Sequence, residues 1–265
     1  MKASILITGE KKENYLIQTI NSCLNQNYSN YEIILLYTHL RNLDMIKNKF
    51  KSKIIFKQVK NKTKNPVKDQ IKKIFEGIKI ANGEFIFLLD GDDLFKRNKL
   101  KEIIKLSMKD KLNIDDHILV KNKKFTYVNK NKLKNLSLFK YLINPWPDKI
   151  CTSCISGNKN LFRHFFKTVD ISKYKYLAID VLITLFYINK INNVNNIFTI
   201  KKVLPNSVDS NYSNLFKKIY WERRIEQHKY LKEIKSINFS LEFYLSKFIS
   251  LLLNFNESIQ KRFQL

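Results

Sequence analysis

The order of apolar segments predicts an α/β protein built on a doubly wound, mostly parallel central sheet flanked by helices. Three observations carry this. Over the first ninety residues, short apolar runs of strand length alternate with longer amphipathic ones, as parallel strands joined by crossover helices require. Residues 85–89 are apolar at every position, the pattern of a central strand covered on both faces. Asp90-Gly-Asp-Asp93 follows at once, where such sheets hold their ligands, at the carboxyl ends of strands.

Taken in order, residues 4–8 read as the first buried strand. Residues 13–25 read as a helix, with Tyr15, Leu16, Ile20 and Leu24 at helical spacing. A strand at 32–37, a short helix at 45–50 and a strand at 53–59 come next. The helix at 67–80 carries Ile71, Ile74, Phe75 and Ile78 on one face. After the acidic strand, 98–108 predicts a helix. Residues 118–138 are polar, lysine-rich and match neither period, and 138–142 reads as a short helical piece. Asn144-Pro-Trp-Pro147 breaks regular structure, because proline lacks the amide donor and restricts the residue before it. A strand at 150–156, a helix at 158–167, an apolar segment at 176–188 interrupted by Asp180, and a returning strand at 197–203 complete the predicted sheet. Residues 215–234 and 239–255 predict two C-terminal helices, the first basic, the second apolar around nearly every face. There is no internal repeat and no linker.

At 265 residues the chain suits one large domain, or one domain with a helical appendage. A hydrophobic fraction of 44% with 13% aromatics excludes a disordered chain. The net charge of +26 comes from lysines spread along the whole sequence, which reads as compositional bias rather than a polyanion-binding face. A nucleic-acid-binding protein is the alternative that charge raises, but no motif supports it. The surplus does favour an anionic membrane leaflet, where each nearby lysine contributes around 1 kcal/mol. The three cysteines form no disulfide framework and point to a reducing, cytoplasmic compartment. Cys151-Thr-Ser-Cys154 has metal or redox spacing but lacks the second pair of a structural zinc site, so it reads as two ordinary cysteines. His39, His117, His164 and His228 show no metal-like spacing. The first apolar segment is too short for a signal peptide, and no run reaches the length of a membrane span.

Strand alternation places Asp90 and Asp92 on the same side of the chain, and Gly91 lets the backbone turn. Carboxylates this close repel, so a hard divalent cation is a natural partner. The bland alternative is that they cap the next helix. With these residues in hand, the first ninety or so positions resemble the nucleotide-binding half of a family 2 glycosyltransferase of the GT-A (nucleotide-diphospho-sugar transferase) fold. Ser4-Ile-Leu-Ile7, Tyr15-Leu16, Ser22, Leu24, Gln26, Tyr28 and Glu32-Ile-Ile34 match its first elements. Ala81, Gly83-Glu84 and Asp90-Gly-Asp-Asp93 match its lead-in and Asp-x-Asp-Asp metal motif.

The resemblance implies a GT-A domain at 1–210, with a nucleotide-binding half at 1–95 and an acceptor half at 96–210, then a helical extension at 211–265. It implies inverting transfer from a nucleotide-diphosphate sugar to a glycan or lipid-linked acceptor, with Mn or Mg, in surface polysaccharide assembly. Asp92 would be the principal metal ligand, Asp90 would reach metal or ribose, Asp93 would support the donor sugar or the metal shell, and Thr8 would border the donor. Asp180, a lone acid in an apolar run about where the family carries its base, would take the acceptor's proton; it equally suits helix initiation. Residues 152–157, including Ser156, resemble the acceptor-side strand. Trp146 is read as stacking on an acceptor sugar or as anchoring a loop. Asn206-Ser-Val208, with Lys201 and Lys202 nearby, resembles a segment closing over the diphosphate.

Departures from the family pattern stand beside these matches. Thr8-Gly-Glu-Lys11 replaces Pro-Thr-Tyr-Asn, Tyr37-Thr38 replaces the usual aspartate pair, and Ile74-Phe75 replaces Arg-Asn. Glu10 is therefore expected to accept from the base and Tyr37 to stack on it. A noncatalytic, glycosyltransferase-like partner protein remains the alternative to an enzyme. The C-terminal helices suit a peripheral membrane contact, packing on the domain, or a homodimer.

Overall fold

The computed structural model describes residues 1–9, 13–40, 42–60, 63–121, 124–128, 150–204, 215–236 and 240–263. Four parallel strands form its first half: β1 (Ala3–Thr8), β2 (Tyr31–Tyr37), β3 (Ile55–Gln58) and β4 (Phe85–Asp90), in spatial order β3-β2-β1-β4. Three helices connect them: α1 (Glu13–Leu24), α2 (Leu43–Phe50) and α3 (Pro66–Ile80). The α3 start is well specified, since the Asn65 side chain accepts from the amides of Val67 and Lys68 and proline occupies the first turn.

The second half is mixed. Beyond β4 the sheet continues with β8 (Ile155–Asn158) antiparallel to it, then β6 (Leu112–Lys121), β9 (Ile191–Lys202) parallel to β6, and the two-residue β5 (Leu94–Phe95). β7 (Lys124–Val128) pairs with β6 as a hairpin. The helices of this half are α4 (Lys99–Leu106), α5 (Lys159–Thr168) and α6 (Ile179–Phe186), followed by α7 (Lys218–Lys235) and α8 (Leu241–Phe263).

Side chains alternate across the sheet. Leu6, Ile34, Leu36, Ile86 and Leu88 join a core with α3, α5 and α6, while Ile5, Ile7, Ile33, Leu35, Phe87 and Leu89 join another with α1 and α4. Burial on both faces is why these strands read as continuous apolar runs.

Two expectations need correction. Residues 150–156 are not one strand, because Thr152–Cys154 forms a 3-10 turn closed by the Cys154 amide on the Cys151 carbonyl, and β8 begins only at Ile155. The polar region after α4 holds a strand hairpin at its start, with Asn113, Asp115, Asp116 and His117 buried in β6. The expected helical piece at 138–142 lies outside the described residues.

Candidate active site

β4 ends beside β1, with Asp90 opposite Thr8 in parallel register. The chain then turns tightly. Gly91 donates to the Thr8 carbonyl at 2.8 Å, and a side chain on Gly91 would meet the Gly9 Cα at 2.7 Å. The Asp90 carboxylate accepts from Gln70 of α3 at 2.6 Å and from the Thr8 hydroxyl at 3.3 Å.

Asp93 is almost wholly buried. One of its oxygens accepts from the Ser153 hydroxyl at 2.6 Å and the other from the Lys202 amide at 3.0 Å. The Ser153 hydroxyl in turn accepts the Asp90 amide at 3.0 Å. One serine on the 3-10 turn thus fixes both ends of the acidic segment. Behind it, the fully buried Lys99 ammonium bonds Asp115 at 2.7 Å, the Ser153 carbonyl at 2.7 Å and the Thr199 hydroxyl at 2.6 Å.

The acids are short of positive charge. Burial, then the neighbouring Asp92 charge, push Asp93 up to about 7 against the opposing Ser153, Lys201 and Lys202 contacts. Asp90 is raised well above the ordinary carboxylate range by burial and by the charges of Asp93, Asp92 and Asp180, with Lys201 opposing. Asp180 is therefore within electrostatic reach of Asp90. It lies half-buried in the first turn of α6, where its carboxylate accepts the Val181 amide at 2.8 Å. Asp90, Asp92, Asp93 and Asp180 offer carboxylate oxygens, and the repulsion among them is what a hard divalent cation would relieve. Asp90 and Asp92 are the residues that could hold one.

Other expected site residues fare differently. Tyr37, expected to stack on a base, is 5% exposed and packed in the core with Ile46 and Phe50. Instead Thr38, just past β2, donates to Asp69 of α3 at 2.9 Å, and Asp69 pairs with Lys73 at 2.6 Å. This brings a carboxylate to the strand end where the sequence lacks one. Ser156 is fully buried between β4 and β6, which leaves it no open face toward an acceptor. Glu10, Trp146 and the 206–208 segment lie outside the described residues. Sequence reasoning missed Gln70, Lys99 and Ser153. Only Gln70 left a trace, falling one turn before the family's Arg-Asn positions.

A parallel first half, a mixed second half and acids at the end of β4 define the GT-A class of glycosyltransferase folds. The chain belongs to glycosyl transferase family 2, whose family model matches residues 4–170. It is 34% identical over 102 residues to an uncharacterised glycosyltransferase of Rickettsia bellii, and 31% identical over 108 residues to the poly(ribitol-phosphate) beta-N-acetylglucosaminyltransferase TarP of Staphylococcus aureus. Each match covers 38% of this chain, but only 14% and 32% of those relatives. Among solved structures, S. aureus TarS 1–349 in complex with UDP-GlcNAc superposes with a TM-score of 0.62 at 16% identity, over 93% of this chain and 69% of that one. The mannosyltransferase PcManGT of Pyrobaculum calidifontis, in complex with GDP-Man and Mn2+, gives 0.53 at 10% identity, over 91% and 66%.

Proposed function

We propose that the chain is a metal-dependent, inverting glycosyltransferase that moves a sugar from a nucleotide-diphosphate donor to a glycan or lipid-linked acceptor in surface polysaccharide assembly. The observation that carries this reading is the acid cluster at the end of β4, where Asp90, Asp92 and Asp93 crowd together with Asp180 in electrostatic reach. The nucleotide sugars bound by TarS and PcManGT, and the Mn2+ of the latter, support a similar donor and ion here. In this reading Asp90 and Asp92 hold the divalent cation. Bound there, it would neutralise the charge that develops on the departing diphosphate.

The chain's own residues do the rest. Gln70 and Thr8 orient Asp90 by hydrogen bonds, and Ser153 holds Asp93 behind it. Asp180 takes the acceptor hydroxyl's proton. In this reading the nucleotide base would sit by the end of β2, where Thr38 and Asp69 are hydrogen-bonded. Lys201 offsets part of the cluster's negative charge.

Thermal-shift screening of nucleotide sugars with and without Mn2+ tests the proposal, since a ligand that binds only the native state raises its melting temperature. Metal-dependent stabilisation by one donor, lost in Asp92→Ala, is expected. Sugar transfer or donor hydrolysis unaffected by Asp92→Ala would overturn it.

A further inference from the structure

The Cys151-x-x-Cys154 pair, read from the sequence as ordinary, acquires a third neighbour in the fold. The two sulfurs are 3.2 Å apart, and the Cys154 sulfur is 3.5 Å from Nδ1 of His117 on β6. All three side chains are buried, and one ligand atom from each falls within 4.8 Å of the others. Sequence spacing hides this cluster because His117 lies 37 residues from Cys154. The β6–β9 register shifts on both sides of Asp116, immediately before His117, and such irregularities re-aim the side chains that follow.

We propose that His117, Cys151 and Cys154 form a zinc site that staples the 3-10 turn to β6, directly behind the acid cluster. Tetrahedral zinc, with Zn–S near 2.3 Å and Zn–N near 2.0 Å, requires sulfur-to-sulfur and sulfur-to-nitrogen separations of about 3.8 Å and about 3.5 Å. The Cys154-to-His117 edge already has that length, the Cys151-to-His117 edge lies within 4.8 Å, and the sulfurs need to part by roughly half an ångström. Three protein ligands leave the fourth position to a water or a small anion.

Charge favours the same assignment. Two thiolates and a neutral imidazole around Zn2+ sum to zero, the least costly way to bury these groups. Desolvation opposes ionisation of Cys154, yet hydrogen bonds from Cys151 and His117 and the charges of His117 and Lys99 outweigh it and make that thiol unusually acidic. Cys151 is raised by its hydrogen bond to Cys154, by burial and by the Cys154 charge. On zinc binding each of these groups still protonated, whether a thiol or a charged His117 imidazole, releases one proton to solvent. The consequence is positional: Ser153, between the two cysteines, bonds Asp93 and the Asp90 amide, so the metal rigidifies the turn that sets the acids.

The test is metal analysis of the whole chain purified under reducing conditions with zinc supplied. About one zinc per chain is expected, falling at least tenfold in Cys151→Ser/Cys154→Ser and unchanged in Asp92→Ala, which separates this site from the acid cluster. Co2+ added to the wild-type chain should give thiolate charge-transfer and tetrahedral visible bands, a readout that needs no variant to fold. A wild-type chain that takes up neither ion, or zinc retained by the double serine variant, overturns the proposal. So does a Cys151–Cys154 disulfide in the zinc-supplied protein.

Discussion

Asp93 ionises near 7 because a buried carboxylate beside Asp92 gains too little from Ser153 and Lys202 to offset its desolvation. In the unfolded chain the same group titrates near 3.9. Between those values the folded chain holds a proton that the unfolded chain has released, so this group's contribution to stability falls as pH rises from about 4 to about 7. Melting curves of the metal-free protein across that window should show the decline, and Asp93→Asn should reduce it, leaving the part that Asp90 contributes. Ser153 is the complementary case. Ser153→Ala strands both Asp93 and the Asp90 amide, and should cost about 1–3 kcal/mol in denaturant titration, whereas a serine merely lining a surface would cost almost nothing. Asp180→Asn should leave donor binding intact and lower kcat by about a hundredfold or more, the range for losing a general base. An equal loss of donor stabilisation in thermal shift would instead make Asp180 a binding residue.

At the scale of elements, a single ammonium ties two strands of the second half to the turn behind the site. Lys99, the first residue of α4, reaches Asp115 of β6, Thr199 of β9 and the turn carrying Ser153, all within 2.7 Å. Lys99→Met should destabilise by about 3–5 kcal/mol, because it leaves Asp115 buried without its cation. Pairing it with Asp115→Leu should recover most of that, as chemical denaturation of both variants would show. This network also explains what the sequence concealed. β1, β2 and β4 were legible because both of their faces are apolar. β6 was not, since Asn113, Asp115, Asp116 and His117 interrupt its period while being buried against partners from other elements. The acids of β4 could be found from spacing alone. Ser153 could not, because its importance lies in a turn brought to Asp93 across 60 residues.

For the whole molecule, the open question is what faces the end of the chain. α7 is docked on the domain: the buried Tyr230 donates to the Leu182 carbonyl of α6 at 2.8 Å, and Glu226 accepts the amides of Lys175 and Tyr176. α8 rests on α7 through Phe243 against His228 and Glu242 with Arg224. Its other face is exposed and apolar, with Leu241, Tyr244, Leu245, Phe248, Leu251 and Leu252 at helical spacing and each at least 49% exposed. No helix among the described residues is long and apolar enough to cross a membrane. The excess of 49 basic over 23 acidic residues makes an anionic lipid surface the partner to test against a second subunit. Sedimentation with vesicles should therefore rise with the fraction of anionic lipid and fall with added salt. Leu245→Glu/Phe248→Glu should release the protein while leaving its melting temperature nearly unchanged, because those side chains already face solvent. If the variant instead turns a dimer into a monomer in light scattering, with vesicle binding unaltered, the stripe is a subunit interface and the membrane assignment fails.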